Sequence, residues 1–282
     1  MIALGRVVSS PVMRKPRIVS VGVYERVVRA SLERVWENVL DWEHLPGLHR
    51  ESFASIRRID SGDWGWTAQL RTPGAAREMT IQVVLERESL RYITATIEGP
   101  GKGTEIWTTL APKSEEETGI RVEFLVPDVS PERITTLGAG YRALYTRLWD
   151  EDEAMMRRRA KWLARLRGPK PEHGATLDLG PVEELRAKLP VVVELGGRPW
   201  RITELEGELV AFSTLCPHAL GPLEEAPIEA GAVECPWHGY RFDVRSGKSC
   251  DGRGLRLSPA PRVEIARDGR SSLVVDLSLI HI

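Results

Sequence analysis

The chain has 282 residues, a formal net charge of −1 and three cysteines. This length suits two domains that each bury a core. The near-neutral net charge does not indicate a surface that binds nucleic acid. The first residues lack an apolar leader segment, and no run approaches about eighteen apolar residues. We therefore expect a cytoplasmic protein that does not enter a membrane.

The first 167 residues combine two helical patterns with several β-like runs. Residues 21–28 predict a strand, and Ser31 is a candidate N-cap for a helix from Leu32 to about His44. Pro131 opens a long helical pattern that ends at about Arg167. The strands predicted between the helices are 65–70, 79–85, 91–97, 105–110 and 120–125. This order resembles the START-like superfamily of polyketide cyclases and lipid-transport proteins, which implies a helix-grip sheet around an apolar cavity.

Residues 37–49, ENVLDWEHLPGLH, gather metal-binding side chains where the first predicted helix ends. Helical geometry would place Glu37, Asp41 and His44 within about a third of the circumference. His49 follows the helix break at Pro46 and is predicted to fold back toward His44. Two imidazoles beside a carboxylate suit the 2-His-1-carboxylate triad that holds a mononuclear Fe(II) for O₂ activation. The alternative is a polar, solvated helix face, in which an Asp and a Pro serve capping and packing only.

The carboxylate of this triad is predicted on the long closing helix. Asp152 lies in an apolar stripe of that helix, whereas Asp150 points the opposite way. A carboxylate in such a stripe costs free energy unless it is paired or binds a metal. Asp152 is therefore the predicted ligand, and an ion pair with Arg159, which shares the stripe, is the alternative. The stripe consists of Tyr141, Tyr145, Leu148, Asp152, Met155, Met156 and Leu163.

The domain limits follow from composition. We predict a first domain at residues 1–167, a Pro/Gly-rich linker at 168–174 and an antiparallel all-β domain at 175–276. Residues 277–282 match the translation of a transposon-end sequencing adapter. We therefore expect this segment to be an artefact and the natural C-terminus to be missing.

Two cysteines and two histidines of the second domain form the most specific motif of the chain. Cys216-Pro-His218 and Cys235-Pro-Trp-His238 are separated by sixteen residues. Two thiolates and two imidazoles in this order suit a [2Fe–2S] cluster with Cys ligands on one iron and His ligands on the other. The alternative is a four-ligand zinc site, although zinc sites rarely use these pairs at this gap. The flanks, LCPH and CPWHGYRFD, resemble those of Rieske iron–sulfur proteins.

Both domains together resemble the Rieske non-haem iron oxygenases, although that family places its Rieske domain first and this chain reverses the order. In the family the cluster serves the mononuclear iron of a neighbouring subunit, so a homotrimer is a natural expectation. The resemblance implies that Asp41 links His44 to a cluster histidine, with His238 as the first choice. The implied roles are Cys216, His218, Cys235 and His238 for the cluster, His44, His49 and Asp152 for mononuclear iron, and Asp41, Glu37 and Asn38 for catalysis.

The resemblance predicts an α+β chain, a helix-grip START-like domain followed by an all-β Rieske domain, that acts as a terminal oxygenase. It would use O₂ to hydroxylate or oxidatively demethylate a hydrophobic or aromatic small molecule. The sequence contains no G-x-G-x-x-G or flavin motif, so an external NAD(P)H-dependent reductase or ferredoxin must supply electrons. The alternative is a Rieske electron-transfer protein fused to a START-like ligand-binding domain without mononuclear iron.

The cluster is also predicted to have a low reduction potential. High-potential Rieske proteins carry hydroxyl groups just after the second ligand loop and add a loop disulfide. Tyr240 and Phe242 occupy those positions here, and neither loop has a further cysteine. Fewer hydrogen bonds to the sulfurs should leave the reduced cluster less stable.

Overall fold

The structure is a computed structural model that describes residues 16–168 and 174–275. The predicted adapter segment at 277–282 and most of the predicted linker lie outside the described residues. Within them, no helix has both the length and the apolar character needed to cross a membrane. The α+β fold class predicted from the sequence is confirmed.

A single antiparallel sheet dominates the first domain. Its seven strands are arranged in the order β1-β7-β6-β5-β4-β3-β2. The edge strand β2 was not predicted, because its polar residues hide the alternation of a buried strand. The strands are β1 (Ile18–Val28), β2 (Ser55–Gly62), β3 (Gly65–Arg71), β4 (Met79–Glu86), β5 (Arg91–Glu98), β6 (Glu105–Pro112) and β7 (Thr118–Pro127).

Between residues 16 and 168 three helices complete this domain: α1 (Leu32–Leu40), α2 (Leu45–Leu48) and the 36-residue α3 (Pro131–Leu166). Short 3₁₀ turns occur at Trp42–His44 and Arg87–Ser89. Ser31 caps α1 as predicted, since its side chain accepts a hydrogen bond from the Arg34 backbone N–H at 3.3 Å. The prediction that this helix continues to His44 was wrong. Asp41 has φ −84° and ψ 77°, which ends α1 and separates Asp41 and His44 from the face that carries Glu37.

The apolar stripe of α3 packs on one face of the sheet. Tyr141 stacks on Phe124 of β7 with ring centroids 4.9 Å apart, and Tyr145 meets the same ring edge-on at 5.0 Å. Aromatic pairs at these separations add to the free energy of plain apolar burial. The sheet and this long helix together form the helix grip, with the cavity between them.

The second domain consists of small antiparallel sheets around the cysteine and histidine loops. Its three three-stranded sheets have the orders β11-β10-β9, β12-β13-β14 and β15-β16-β8. The elements are β8 (Thr176–Pro181), α4 (Val182–Arg186), β9 (Val191–Leu195), β10 (Arg198–Leu205), β11 (Glu208–Ser213), β12 (Ile228–Glu229), β13 (Ala232–Glu234), β14 (Arg241–Asp243), β15 (Arg262–Ile265) and β16 (Arg270–Val274).

The two domains share a packed interface. Met155 of α3 lies in the same buried cluster as Cys216 and Phe242, and Leu48 packs against that cluster. Arg158 donates two hydrogen bonds to the Glu224 carboxylate, at 2.7 and 2.9 Å. A bidentate pair of this kind fixes orientation as well as distance. The interface therefore holds the loops of the second domain against α2.

Candidate metal sites at the domain interface

The first candidate metal site is formed where the side chains of His44 and His49 contact that of Asp152 on α3. His49 Nε2 lies 3.1 Å from Asp152 Oδ1, and His44 Nε2 lies 3.5 Å from the same oxygen. One donor atom from each of the three residues falls within 4.8 Å of the others, and all three residues are buried. Two imidazoles and a carboxylate at one point match the donor set that suits non-haem Fe(II).

The groups around this triad orient its donors. The Asn38 amide donates a hydrogen bond to Asp152 Oδ1 at 3.0 Å, and the Glu151 carboxylate lies 2.5 Å from His49 Nδ1. A carboxylate on the outer ring nitrogen is the usual way to fix the tautomer of a metal-binding histidine. Glu151 was not singled out from the sequence, because helical periodicity places it on the flank of the apolar stripe.

The charges of the triad depend on one another. Burial alone would raise the pKa of Asp152, but hydrogen bonds from His44 and His49 hold it well below its ordinary value. Burial alone would lower the pKa of His44, but Asp152 and Asp41 raise it to about 9. Without a metal the site is therefore a buried ion pair. A divalent metal would take the place of the proton on His44, and the Asp152 carboxylate would then neutralise part of the charge of the metal.

Cys216, His218, Cys235 and His238 meet at the tips of two loops of the second domain. Both cysteines are fully buried, and the two imidazole centroids are 4.3 Å apart. A hydrogen bond between the two cysteine side chains lowers the pKa of Cys235 and raises that of Cys216. A thiolate is the form of cysteine that binds metal.

Two further observations fit a cluster at these loops. His238 Nδ1 is buried and has no hydrogen-bond partner among the described residues, although buried polar atoms are almost always satisfied. A Cβ at Gly221 would lie 2.6 Å from Cys235 Sγ, so the loop needs a glycine beside the sulfur. The two histidines differ in exposure, because the His238 side chain is fully buried while His218 is exposed.

Asp41 lies between the two candidate metal sites, which belong to the same chain. Its Oδ2 is 2.7 Å from His238 Nε2 and 3.8 Å from His44 Nδ1. Contacts with His238 and His44 lower the pKa of Asp41, although its burial has the opposite effect. The family resemblance implied that Asp41 would link His44 to a cluster histidine, with His238 as the first choice. It did not predict that all three would belong to one chain, since the family resemblance implies a contact between subunits.

Close backbone packing keeps this contact short. A Cβ at Gly47 would lie 2.3 Å from the Trp237 carbonyl oxygen and 3.1 Å from the His238 backbone nitrogen. Beside it, the Tyr240 hydroxyl donates a hydrogen bond to Glu43 at 2.5 Å, and Arg253 donates one to the Tyr240 oxygen at 2.8 Å. The Tyr240 hydroxyl is thus directed at the first domain.

One alternative from the sequence is corrected. The Glu37 carboxylate accepts hydrogen bonds from Arg34 and, at 3.0 Å, from Arg159. The alternative pairing of Asp152 with Arg159 is therefore wrong, since Arg159 reaches Glu37 instead. Asp150 points away from the site as predicted and accepts a hydrogen bond from Arg26 at 2.7 Å.

A cavity of about 130 Å³ opens beside the triad, between α3 and the sheet. Its walls are mainly apolar, and two tyrosines, Tyr92 and Tyr145, line it. Asp41, His44, His49 and Asp152 also line the cavity, so a molecule inside would contact the candidate metal site directly. Apolar walls with a few polar groups are typical of small-molecule sites.

The fold and these side chains define the class: an α+β protein that joins a helix-grip domain to a Rieske [2Fe–2S] domain. Residues 175–257 match the family model of the Rieske [2Fe–2S] domain. The p-cumate 2,3-dioxygenase system ferredoxin component of Pseudomonas putida is 38% identical over 77 residues, which cover 27% of this chain and 61% of that protein. The anthranilate 1,2-dioxygenase ferredoxin subunit of Burkholderia cepacia is 35% identical over 69 residues, covering 24% and 64%. The chain thus spans less than two thirds of either relative.

Several solved structures resemble part of the chain. The aromatase/cyclase Zhui from Streptomyces sp. R1128 has 13% identity and a TM-score of 0.41, covering 52% of this chain and 96% of that one. Norcoclaurine synthase from Thalictrum flavum has 19% identity and a TM-score of 0.40, covering 55% and 94%. The ferredoxin of carbazole 1,9a-dioxygenase from Nocardioides aromaticivorans IC177 has 25% identity and a TM-score of 0.31, covering 36% and 98%.

Proposed function

We propose that this protein is the terminal oxygenase of a Rieske non-haem iron system. The observation that supports it best is the position of Asp41, which faces a histidine of each constellation at 2.7 and 3.8 Å. A carboxylate shared by two histidines from different domains has no obvious role in packing alone, because burying it costs free energy. It is well placed to couple a cluster to an iron site.

The proposed ligands are the residues that meet at each site. Cys216, His218, Cys235 and His238 would hold the [2Fe–2S] cluster, and His44, His49 and Asp152 would hold Fe(II). When bound, these groups supply one-electron transfer and O₂ activation.

The protein's own residues orient the site and keep water away. Asp41 holds the outer nitrogen of His238 and faces that of His44, while Glu151 does the same for His49. Asn38 fixes the Asp152 carboxylate through a hydrogen bond. Apolar walls that include Phe53 exclude water from the cavity. In this proposal Glu37 has a structural role, because its ion pair with Arg159 connects α1 to α3.

The proposed reaction is hydroxylation or oxidative demethylation of a hydrophobic small molecule with O₂. The cavity beside the triad is the proposed place for that substrate. Electrons would come from an external NAD(P)H-dependent reductase or a ferredoxin. The two relatives described above are ferredoxin components of dioxygenase systems, which favours a partner from the same kind of electron-transfer chain.

A second candidate is a Rieske electron carrier fused to a ligand-binding domain without mononuclear iron. The ferredoxin relatives favour it, because their matches cover only 27% and 24% of this chain. Under this alternative His44 and Asp152 form a buried ion pair, and the cavity carries a ligand without changing it.

Iron and acid-labile sulfide per chain separate the two functions. On anaerobically purified protein, an oxygenase should contain three irons and two sulfides, and Asp152→Ala should lower the iron to two. Asp150→Ala is the matched control, since Asp150 lies on the same helix and is directed away from the site. Two irons in all three proteins would refute the oxygenase proposal and leave the electron carrier.

A further inference from the structure

Arg201 is a buried arginine on β10 of the second domain. Its neighbours along the strand, Trp200 and Ile202, belong to one apolar core. Because side chains alternate along a strand, Arg201 faces the other side of the sheet, beside its cross-strand partner Phe212. Phe212 belongs to the core that contains both cysteines of the Rieske motif, and its ring centroid lies 5.7 Å from the guanidinium carbon. The charge of Arg201 is therefore enclosed on the side where these cysteines lie.

This charge has no anionic partner among the described residues. Arg201 is only 8% exposed, and no described carboxylate lies within 4.0 Å of its guanidinium nitrogens. Nη1 donates hydrogen bonds to the carbonyls of Leu223 and Ala226 at 3.3 and 2.6 Å, while the buried Nε has no partner in the described part of the chain. Arginine keeps its proton in proteins. A buried charge costs free energy unless a counter-charge lies near it, so an anion in this core would be stabilised.

The carbonyls that Arg201 binds belong to the segment beside the cysteine sulfurs. Gly221 precedes Leu223 by two residues, a span of at most about 7 Å. A Cβ at Gly221 would lie 2.6 Å from Cys235 Sγ, and the Gly221 carbonyl accepts a hydrogen bond from the Cys216 backbone N–H at 3.0 Å. Arg201 is thus separated from both cysteines by one short stretch of chain.

A reduced cluster would supply the negative charge that this core lacks. A [2Fe–2S]²⁺ cluster held by two thiolates and two neutral imidazoles has no net charge, and one added electron makes it an anion. A fixed positive charge in the same core stabilises the reduced form relative to the oxidised form. Because the guanidinium is buried, salt and water screen this effect less than they would at the surface.

We infer that Arg201 is a positioning residue for the proposed [2Fe–2S] cluster: its charge raises the reduction potential, and its hydrogen bonds hold the segment beside the Cys235 sulfur. The inference rests on the cluster of the proposed function and does not require mononuclear iron. It applies equally to an oxygenase and to an electron carrier.

Redox titration of the cluster-loaded chain measures this effect without turnover, with dithionite as the source of the electron. Arg201→Gln removes the charge and keeps a hydrogen-bond donor. We expect it to lower the equilibrium constant for reduction about ten-fold, which is about 59 mV for one electron. Arg201→Lys keeps the charge at pH 6, where a desolvated lysine still binds its proton, and should stay within about three-fold of the wild type.

Arg241→Gln is the matched control. Arg241 lies on β14 of the same domain, but its side chain is 46% exposed, so solvent screens its charge. Its loss should leave the potential unchanged. An unchanged potential in Arg201→Gln, or an equal fall in Arg241→Gln or in Arg201→Lys, would overturn the inference.

Iron and acid-labile sulfide content complete the test. If Arg201→Gln does not retain a cluster, a loaded Arg201→Lys protein would support the role of the charge, whereas loss of the cluster from both would overturn it in favour of a structural role. Two irons per chain together with the expected shift in potential would refute the oxygenase proposal alone, so the two proposals can fail separately.

Discussion

Gly47 is the residue on which the contact between the two candidate metal sites depends most directly. An alanine Cβ there would lie 2.3 Å from the Trp237 carbonyl oxygen, where about 3.4 Å is ordinary contact, so the two loops must separate by roughly 1 Å. A movement of that size would stretch the 2.7 Å contact between Asp41 and His238 to about 3.7 Å, beyond hydrogen-bonding distance. Overpacking of this kind costs about 1–3 kcal/mol.

Urea unfolding and cluster reoxidation measure the two effects of Gly47→Ala. We expect the free energy of unfolding to fall by about 1–3 kcal/mol and the reduced cluster to be reoxidised more slowly under O₂. Gly140→Ala is the control, since a Cβ there meets nothing within 4 Å. Because Gly140 is exposed on α3, that change should stabilise the protein by up to about 1 kcal/mol. A Gly47→Ala protein with wild-type stability and reoxidation would refute the reasoning.

Three further predictions concern the same interface. Mixing Cys216→Ser protein with Asp152→Ala protein should restore no O₂ consumption if Asp41 couples the sites within one chain; clear recovery would require coupling between subunits. Because the pKa of His44 is raised from 6.5 to about 9, the stability it contributes is complete below pH 6.5 and lost as pH rises through about 9. Urea unfolding of iron-depleted protein should detect this loss, and Asp152→Asn should reduce it; a flat profile would contradict the ion pair. The cluster's midpoint potential should lie in the lower part of the Rieske range, roughly −150 to 0 mV. Tyr240→Phe should hardly change the midpoint potential, since the Tyr240 hydroxyl donates its hydrogen bond to Glu43. A large drop in the potential would mean that this hydroxyl bonds a cluster sulfur instead.

The parts of the site that could be predicted are those fixed by local sequence. Asp152 was identified by helical periodicity, because α3 is long and regular enough for its apolar stripe to define one face. His44 and His49 were identified by spacing around Pro46, and the short helix α2 does bring their rings to 5.1 Å. Local sequence is sufficient for these three residues, because a helix or a short turn around a proline sets the direction of a side chain within a few residues.

The parts that could not be predicted depend on contacts between distant segments. Arg159 shares the stripe of Asp152, and only the packing of α1 against α3 decides that it pairs with Glu37 instead. Glu151 becomes a partner of His49 because α2 lies beneath α3. The end of α1 at Leu40 is also set by tertiary structure, since Asp41 leaves the helical conformation where it meets the second domain. Periodicity alone contains none of these contacts.

The reversed domain order gives the interface a physical basis within one chain. α3 ends at Leu166 and β8 begins at Thr176, so few residues separate the helix that carries Asp152 from the Rieske domain. A short covalent connection keeps the effective concentration of one domain near the other high, in the millimolar range for flexible linkers. Met155 adds apolar burial by entering the core around Cys216, and Arg158 adds a bidentate pair with Glu224. The same side of α3 thus contributes Asp152 to one candidate site and Met155 to the core of the other, so a displacement of α3 would disturb both sites together.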